Sequence, residues 1–592
     1  MYSNLRLTLL FATFSLLIIA CRNEPETTGP ALQNEVKVRL SSEPENLNFL
    51  LTAHASATEI FKLLSMPLAS FDPGTYELAP TLIRQMPLIA EVTEGDYKGT
   101  VSYDFEILEE AKWDNGSPIL AEDFLFTLKA VFNPNYSSPH RSLTSFIKDV
   151  QIDPENPKKF RVYGAKYIIA APVVSNFELM PRYVYDPEDI MANYTLNELK
   201  DPANKEQLEN DEQLKAFAEQ FSSPLHLSDP QGISYAGPYR LERWITGQEI
   251  VLVKKDNWWG DQLAASNNLL SAHPQKITFK FIPDINAAVS LAKNGEIDVM
   301  GRIEWAKFME LKEDKIITEQ YNLHVPEKIA YRFIILNNAN PKFEDKKVRQ
   351  AMDHLFDRKE IGETVYYGFS KPTIGPVHPS KSYYNKNLSV RSLDIEKAKS
   401  LLDEAGWKDT NGNGIVDKKI NGQQVEMDVE LLYLNGFRDY SSMGIIFADA
   451  AKKAGVNIIP TSMETKAIFT QLRSKEFDAA FWGEDWYPLH KDLASRYHTR
   501  GSQNFGSFSN AESDDLIQKL RRIVDDSQLP PYYMRVQEIL HEESPNIFIN
   551  TGEDRLMVHK KFGDVRVTAV KPHYYLNEFT INQAVPVKTS NN

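Results

Sequence analysis

Residues 427–487 decide the fold class, and they read MDVELLYLNGFRDYSSMGIIFADAAKKAGVNIIPTSMETKAIFTQLRSKEFDAAFWGEDWY. The patterns of apolar residues predict a strand over 427–433, a helix over 440–454, a strand over 456–459, a helix over 466–472 and a strand over 477–482. Strands that alternate with helices form a parallel sheet, because each helix carries the chain back to where the next strand starts. The stretch therefore predicts an α/β fold.

The acidic and aromatic residues that follow the third predicted strand are the best candidate site. Ligands of open parallel sheets bind beyond the carboxyl ends of the strands, and that position holds Gly483-Glu484-Asp485-Trp486-Tyr487, after Trp482. One interpretation is a carboxylate that binds a cationic group in an aromatic-walled pocket, where an ion pair is stronger than at a wet surface. A structural interpretation, an exposed acidic turn beside core aromatic residues, stays open.

Carbohydrate chemistry is a second functional interpretation. A sugar would stack on Trp482 or Trp486, and Glu484 and Asp485 would be the acid and the nucleophile of a secreted glycosidase. Adjacent residues on a strand point to opposite faces, however, so these carboxylates are not expected to face each other across a substrate. The sequence also has no Walker-type loop, no G-x-S-x-G and no G-x-G-x-x-G after a strand. The absence of these motifs argues against catalysis, and we expect no enzyme activity and no cofactor.

The composition is that of a large folded protein with an acidic surface. With 592 residues, 42% of them hydrophobic, the chain is long enough for two or more domains. Its formal net charge is −15, and its lysines and arginines are scattered among acidic residues. Nucleic acid is therefore not an expected partner, since phosphate binding needs a basic patch.

The first 34 residues predict export and a lipid anchor. Residues 7–20 form an apolar run that is too short to span a bilayer and is typical of a signal peptide, which we place at residues 1–20. The run ends at Cys21, the only cysteine, in a sequence that resembles a bacterial lipobox and implies lipidation of that thiol. A plain signal peptide with a chance cysteine is the alternative. Residues 21–34 predict the lipidated cysteine and a flexible tether, and the folded part is expected on the periplasmic or cell-surface side of a bacterial membrane.

Residues 409–417 resemble the beginning of a calcium-binding loop. Asp409, Asn411 and Asn413 offer oxygen ligands at alternating positions, and the sixth position is Gly414. The twelfth position is Ile420 rather than a bidentate glutamate, and we favour a plain turn. The histidines show no spacing typical of metal ligands, and no metal site is predicted.

Several motifs, in order along the chain, resemble those of the family-five extracellular solute-binding proteins, which include the oligopeptide- and dipeptide-binding components of ABC importers. They are Glu43-Pro44-Glu45-Asn46-Leu47-Asn48, Lys112-Trp113-Asp114-Asn115-Gly116-Ser117-Pro118 with Ala121-Glu122-Asp123-Phe124, Ala236-Gly237-Pro238-Tyr239, Asn257-Trp258-Trp259-Gly260, and the stretches 291–298, 343–358 and 394–407. The resemblance covers nearly the whole mature chain.

This resemblance implies a periplasmic-binding-protein-like fold of type II, with two α/β lobes joined by crossover strands. The first lobe is expected over 35–328, with an extra subdomain at about 72–180. The second lobe is expected as an insertion over 329–546, and the chain would return to the first lobe over 547–592. The crossovers would lie near Tyr331 and Ile547.

The resemblance also implies capture of peptides for an ABC permease by a monomer. In peptide-binding members an aspartate at the place of Asp485 holds the α-ammonium of the ligand. The ligand backbone pairs as an added strand between segments that correspond to Phe481-Trp482-Gly483 and to Ala53-His54-Ala55, which explains tolerance of many peptide sequences. We expect Glu484 and Trp486 to contribute to the same site.

Three departures from the family pattern concern the ligand. Phe481 replaces a glycine, Ala479 stands near where some oligopeptide binders place an arginine for the ligand carboxylate, and His140 takes the place of a ligand-facing tyrosine. A ligand of another class in the same fold, such as an oligosaccharide, a metal chelate or another solute, is therefore the alternative to a peptide.

Overall fold

A computed structural model gives the structure of the protein and describes residues 34–164, 177–485, 492–523, 525–563 and 565–582. Two large β-sheets form its centre, one with seven strands and one with six. Helices pack on both, so the expected α/β architecture with two lobes is confirmed. Among the described residues, no helix is both long and apolar enough to cross a membrane.

The sheet of the first lobe takes strands from both ends of the chain. In spatial order its strands are Tyr321–His324, Leu556–His559, Val299–Met300, Glu35–Leu40, Lys276–Phe281, Glu249–Lys254 and Tyr239–Ile245. The strand Glu35–Leu40 pairs in parallel with a neighbour on each side. Val36 and Val38 are fully or almost fully buried, as the alternation of apolar and charged residues predicts.

The sheet of the second lobe contains the predicted β-α-β-α-β unit. In spatial order its strands are Lys371–Pro372, Asn546–Thr551, Ala330–Leu336, Ala479–Asp485, Asp428–Leu434 and Asn457–Met463. The three strands predicted within 427–482 are present and parallel, joined by the helices Arg438–Lys452 and Thr465–Ser474. The third strand is longer than predicted, because it pairs with Ala330–Leu336 along its full length, up to Asp485.

The chain passes from the first sheet to the second between His324 and Ala330 and returns between Thr551 and Leu556. The predicted crossover position Ile547 falls inside the strand Asn546–Thr551 of the second sheet. That strand is buried along its whole length, and it pairs with Ala330–Leu336 before the chain leaves the sheet at Gly552.

Smaller sheets and the helices complete the two lobes. Within the region predicted as an extra subdomain, the strands Leu88–Glu91, Val101–Glu106, Lys159–Gly164 and Ile147–Ile152 form a four-stranded sheet. The hairpins are Ala69–Phe71 with Leu78–Pro80 and Asp417–Ile420 with Gln423–Glu426. The first lobe has the helices Ala55–Leu64, Ala121–Val131, Arg141–Thr144, Arg182–Tyr185, Leu196–Lys200, Lys205–Glu209, Glu212–Phe221, Pro224–Leu227, Ile285–Lys293, Trp305–Glu313 and Lys315–Gln320. The other helices of the second lobe are Lys346–Leu355, Arg358–Thr364, Ile395–Glu404, Ala494–Tyr497, Ala511–Leu520 and Leu529–Glu543.

Candidate functional site

A cleft of about 510 Å³ lies between the two sheets. Its walls come from both lobes and from the two crossovers. The first lobe supplies Arg39, Ser41, Ala55, Arg302 and Lys571, the crossovers supply Lys328, Asp554 and Arg555, and the second lobe supplies Arg332, Phe437, Arg438, Asp439 and Asp485. A cleft of this size, lined by charged groups and an exposed aromatic ring, has the dimensions of a ligand site.

Asp485 ends the strand Ala479–Asp485, and its half-exposed side chain lines the cleft. Its carboxylate is ion-paired with the ammonium group of Lys571, which belongs to the C-terminal segment of the opposite lobe. Burial favours the neutral acid, but Lys571 and Lys328 keep the pKa of the Asp485 carboxyl below its usual value. Asp485 is therefore ionised at neutral pH, as an ammonium site requires.

The neighbouring carboxylate, Glu484, points to the opposite face of the strand. It accepts hydrogen bonds from Arg496 at 2.6 Å and from the Tyr331 hydroxyl at 2.9 Å, and its side chain is only 12% exposed. Alternation along the strand is the reason. Glu484 and Asp485 are thus not a facing pair of carboxylates, and Glu484 has a structural partner rather than a place in the cleft.

The Trp482 side chain also faces away from the cleft. Its ring packs edge-on against Phe469 at 5.2 Å and against Phe505 at 5.8 Å, inside the second lobe. The ring is partly buried against a hydrophobic cluster and is not among the residues that line the cleft, where a sugar would stack. Trp486 and Tyr487 lie outside the described residues, as does Cys21.

Phe481 and Gly483 lie on the same face of the strand as Asp485. Phe481 is buried and stacks on Tyr440 at 4.9 Å between ring centroids. A Cβ atom at Gly483 would lie 3.3 Å from the Tyr440 hydroxyl, so a side chain there would be crowded. In the described part of the chain, the strand has neighbours on both sides only at Ala479 and Ala480, and from Phe481 onward only Ala330–Leu336 pairs with it. Among the described residues, one backbone edge of Phe481–Asp485 therefore has no strand paired with it.

The segment Ala53-His54-Ala55 forms the beginning of a helix rather than a strand. His54 is the N-cap of Ala55–Leu64, and its Nδ1 accepts a hydrogen bond from the Ser56 amide at 3.3 Å. Ala55 lines the cleft, and Ala53 lines a separate cavity of the first lobe. The backbone of His54 is itself extended, with φ −62° and ψ 135°, and the helix begins at Ala55.

His140 lines that same first-lobe cavity. Its Nε2 lies 2.9 Å from the Phe49 carbonyl oxygen, and its ring lies against the Phe49 ring at 4.0 Å. Burial lowers the pKa of His140 to about 4. His140 is therefore neutral at physiological pH and contributes a hydrogen-bonded aromatic wall rather than a charge.

Sequence reasoning did not identify the arginines of the cleft. Arg332 comes from the buried strand Ala330–Leu336, and its Nη1 has no hydrogen-bond partner among the described residues. The Arg555 guanidinium lies over the Trp305 ring, 4.8 Å from its centroid. A charged residue within the otherwise apolar sequence AYRFIIL was the signal that could have found Arg332, because an unpaired charge is costly in a buried strand.

Residues 409–417, which resemble the beginning of a calcium-binding loop, form a hydrogen-bonded turn. Asp409 accepts from the amides of Gly412 and Gly414, and Asp417 accepts from the amide and hydroxyl of Thr410. In the residues that the structure describes, no cluster of three or more histidine, cysteine or acidic side chains is arranged to hold a metal ion.

Glu553, in the returning crossover, carries a buried carboxyl group. It is 3% exposed, and neither of its side-chain oxygens has a hydrogen-bond partner among the described residues. Burial raises the pKa of Glu553 to about 7, against the attraction of Arg332 and Lys371. Because this pKa lies above the value of 4.5 for a free glutamate, ionisation destabilises the folded state. The cost is absent below about pH 4.5 and complete above about pH 7.

We expect Glu553→Gln to stabilise the protein at pH 8 and to have little effect at pH 4.5. The gain at pH 8 should reach up to about 3 kcal/mol, since one pKa unit corresponds to about 1.4 kcal/mol. Urea denaturation at several pH values measures it. If the wild-type protein and the variant lose stability equally between pH 5 and pH 8, Glu553 does not carry this titration.

Comparison with known proteins identifies the family. The sequence model described as "Bacterial extracellular solute-binding proteins, family 5 Middle" matches residues 86–505. The chain belongs to this family. It is thus a solute-binding protein and not an enzyme, as the motifs predict.

The family members similar to this chain are named for different ligands. The oligopeptide-binding protein AppA of Bacillus subtilis is 24% identical over 528 residues, covering 88% of this chain and 86% of that protein. The nickel-binding periplasmic protein of Escherichia coli is 22% identical over 498 residues, covering 82% of this chain and 84% of that protein.

Solved structures share the fold over nearly the whole chain. AppA of Bacillus subtilis in complex with a nonapeptide matches with a TM-score of 0.68 at 21% identity, over 93% of this chain and 99% of that one. NikA of Brucella suis in complex with Fe(III)-EDTA matches with a TM-score of 0.73 at 19% identity, over 93% of this chain and 100% of that one. At these identities the matches establish the two-lobed fold and not the ligand.

Proposed function

We propose that this family-5 member captures peptides in the interlobe cleft and delivers them to an ABC importer. The observation that carries the proposal is the ionised carboxylate of Asp485 on the cleft wall, at the end of a strand with one backbone edge that no described strand pairs with. The peptide's α-ammonium would bind Asp485, and its backbone would pair with Phe481–Gly483. Such main-chain pairing binds peptides with little regard to their sequence.

The cleft also holds cationic groups that would suit the carboxylate of a peptide. Arg332 and Arg555 supply guanidinium groups that suit a carboxylate. Phe437, which is 53% exposed, adds an aromatic ring to the cleft wall. The relatives named for oligopeptides support this assignment.

The same proposal includes the anchor and the partner. The lipid on Cys21 would hold the folded body, as a monomer, near the permease at the outer face of a bacterial membrane, with residues 22–34 as the tether. Labelling with a radioactive fatty acid that is lost in Cys21→Ser tests the anchor independently of the ligand.

Native mass spectrometry of the folded body, residues 35–592, tests peptide capture. We expect co-purified masses that match short peptides, and a smaller radius of gyration in X-ray scattering when a peptide is added, because the lobes close on a ligand. A protein that carries no peptide, and whose melting temperature does not respond to a peptide library, would contradict the proposal.

An anionic solute such as a metal chelate is the second candidate ligand. The cleft has more cationic than anionic side chains, although the whole chain is acidic. One nitrogen of Arg332 has no hydrogen-bond partner in the part of the chain that the structure describes. The relatives named for nickel agree with this reading. A melting temperature that rises with metal chelates of polycarboxylates, and not with peptides, would establish this candidate instead.

A further inference from the structure

A second cavity, of about 370 Å³, lies wholly within the first lobe. Its walls are mainly apolar, and they include Phe49, Phe61, Met66, Phe71 and Leu143. Apolar pockets of about 300–1,000 Å³ with a few polar groups are typical of ligand sites. This cavity is therefore large enough for a bulky ligand group.

The cavity adjoins the cleft at the Asp485 corner. Glu59, Lys571, Pro572 and Tyr574 line both spaces, and Lys571 is the residue whose ammonium contacts Asp485. A peptide whose α-ammonium group binds Asp485 could therefore place a nearby side chain in the cavity.

Glu178 is the polar group of the cavity that is left without a full set of partners. It is 8% exposed, and its Oε2 has no hydrogen-bond partner among the described residues. Burial raises the pKa of Glu178 to about 8, despite Ser65 and Lys62 nearby. A buried carboxyl oxygen without a partner is costly, and a ligand that donates a hydrogen bond to it removes that cost.

The other charged groups around the cavity are engaged elsewhere. Glu59 accepts a hydrogen bond from the Tyr574 hydroxyl and lies 3.7 Å from Arg302. Lys62 donates to the Lys571 carbonyl oxygen. Among the described residues that line the cavity, Glu178 is therefore the one acceptor without a partner for one of its oxygens.

We propose that this cavity is a specificity pocket for a ligand side chain with an apolar stem and an N–H or O–H donor at its tip, with Glu178 as the acceptor. The inference rests on the proposed peptide function and adds a selective position to it. Two side-chain chemistries fit, an amine or guanidinium group and a phenol, and the experiment separates them.

Calorimetric titration with tetrapeptides tests the pocket. Each position of an otherwise constant peptide is varied in matched pairs, lysine against norleucine and tyrosine against phenylalanine, so that each pair differs in the donor at the tip. At one position we expect the donor-bearing member of one pair to bind about tenfold more tightly or better, the gain of a hydrogen bond to a charged or unmatched group.

Substitutions of Glu178 assign this preference to the pocket. In Glu178→Leu, the preference should vanish for either chemistry. In Glu178→Gln, which keeps an acceptor oxygen and nearly the same volume, a preference for tyrosine should remain and a preference for lysine should fall. Equal affinities within both pairs at every position, or a preference that persists in Glu178→Leu, would overturn the pocket and leave peptide capture intact. Failure of every peptide to bind would overturn both proposals.

Discussion

We expect Asp485→Asn to weaken the binding of peptides with a free amino terminus by about 10- to 100-fold. The substitution keeps the shape of the side chain and removes the negative charge that an ammonium ion would meet. A hydrogen bond to a charged group contributes about 1.5–3 kcal/mol, which corresponds to this range. Fluorescence or calorimetric titration with an unmodified tetrapeptide measures the loss.

The ion pair between Asp485 and Lys571 predicts that substitution of Lys571 strengthens peptide binding. In the structure the Lys571 ammonium group is ion-paired with the carboxylate that a peptide ammonium group would use. Lys571→Met removes this competitor, and we expect peptide affinity to rise by up to about tenfold, the scale of one modest ionic contact. In the double variant Asp485→Asn with Lys571→Met, the gain should disappear, because the two residues act through one contact.

An N-acetylated version of the same peptide is the matched control. It has no ammonium group, so its affinity should not depend on Asp485. Unchanged affinity of the free peptide in Asp485→Asn would remove the ammonium site from the proposal, and a gain in Lys571→Met that persists in the double variant would show that Lys571 acts elsewhere.

Glu484→Ala should destabilise the protein by about 3–5 kcal/mol. The substitution leaves the Arg496 guanidinium, whose side chain is 6% exposed, without its carboxylate in a buried site. It also leaves the Tyr331 hydroxyl without this acceptor. Urea denaturation measures the loss, and peptide affinity of the folded variant should change little, because Glu484 faces away from the cleft.

Glu512→Ala is the matched control within the same lobe. Glu512 also pairs with an arginine, Arg535, but both side chains are about half exposed, and solvent screens such surface pairs, so the loss of stability should be much smaller. If the two variants lose similar amounts of unfolding free energy, burial does not strengthen the contribution of the Glu484–Arg496 pair. A large loss of peptide affinity in Glu484→Ala would place Glu484 in the binding site.

Sequence periodicity predicted the parts of the fold that depend on local pattern. The parallel strands within 427–487 and their helices are present, because a strand buried on one or both faces must repeat apolar residues with a period that the sequence shows directly. The exact end of the third strand was not predictable, since the distant segment Ala330–Leu336 extends it to Asp485.

The candidate site residues also fall into two groups, those that local sequence pattern indicates and those that it does not. The sequence indicated Asp485, and the alternation rule indicated that Glu484 would point away from it. It did not indicate that Trp482 packs inside the lobe, because a tryptophan beside acidic residues looks the same in a pocket and in a core. Arg332, Arg555 and Glu178 were missed because their neighbours in space are far apart in the chain.

The sequence by itself determined the α/β class, the family and the position of one carboxylate, because these follow from short-range periodicity and from ordered motifs. Only the tertiary structure decided what that carboxylate meets. Lys571 lies 86 residues from Asp485 in sequence, and the two come together across a cleft whose walls belong to different lobes. The charges that line such a cleft come from side chains that are far apart in the sequence. Local sequence pattern therefore cannot predict the balance of positive and negative charge in the cleft.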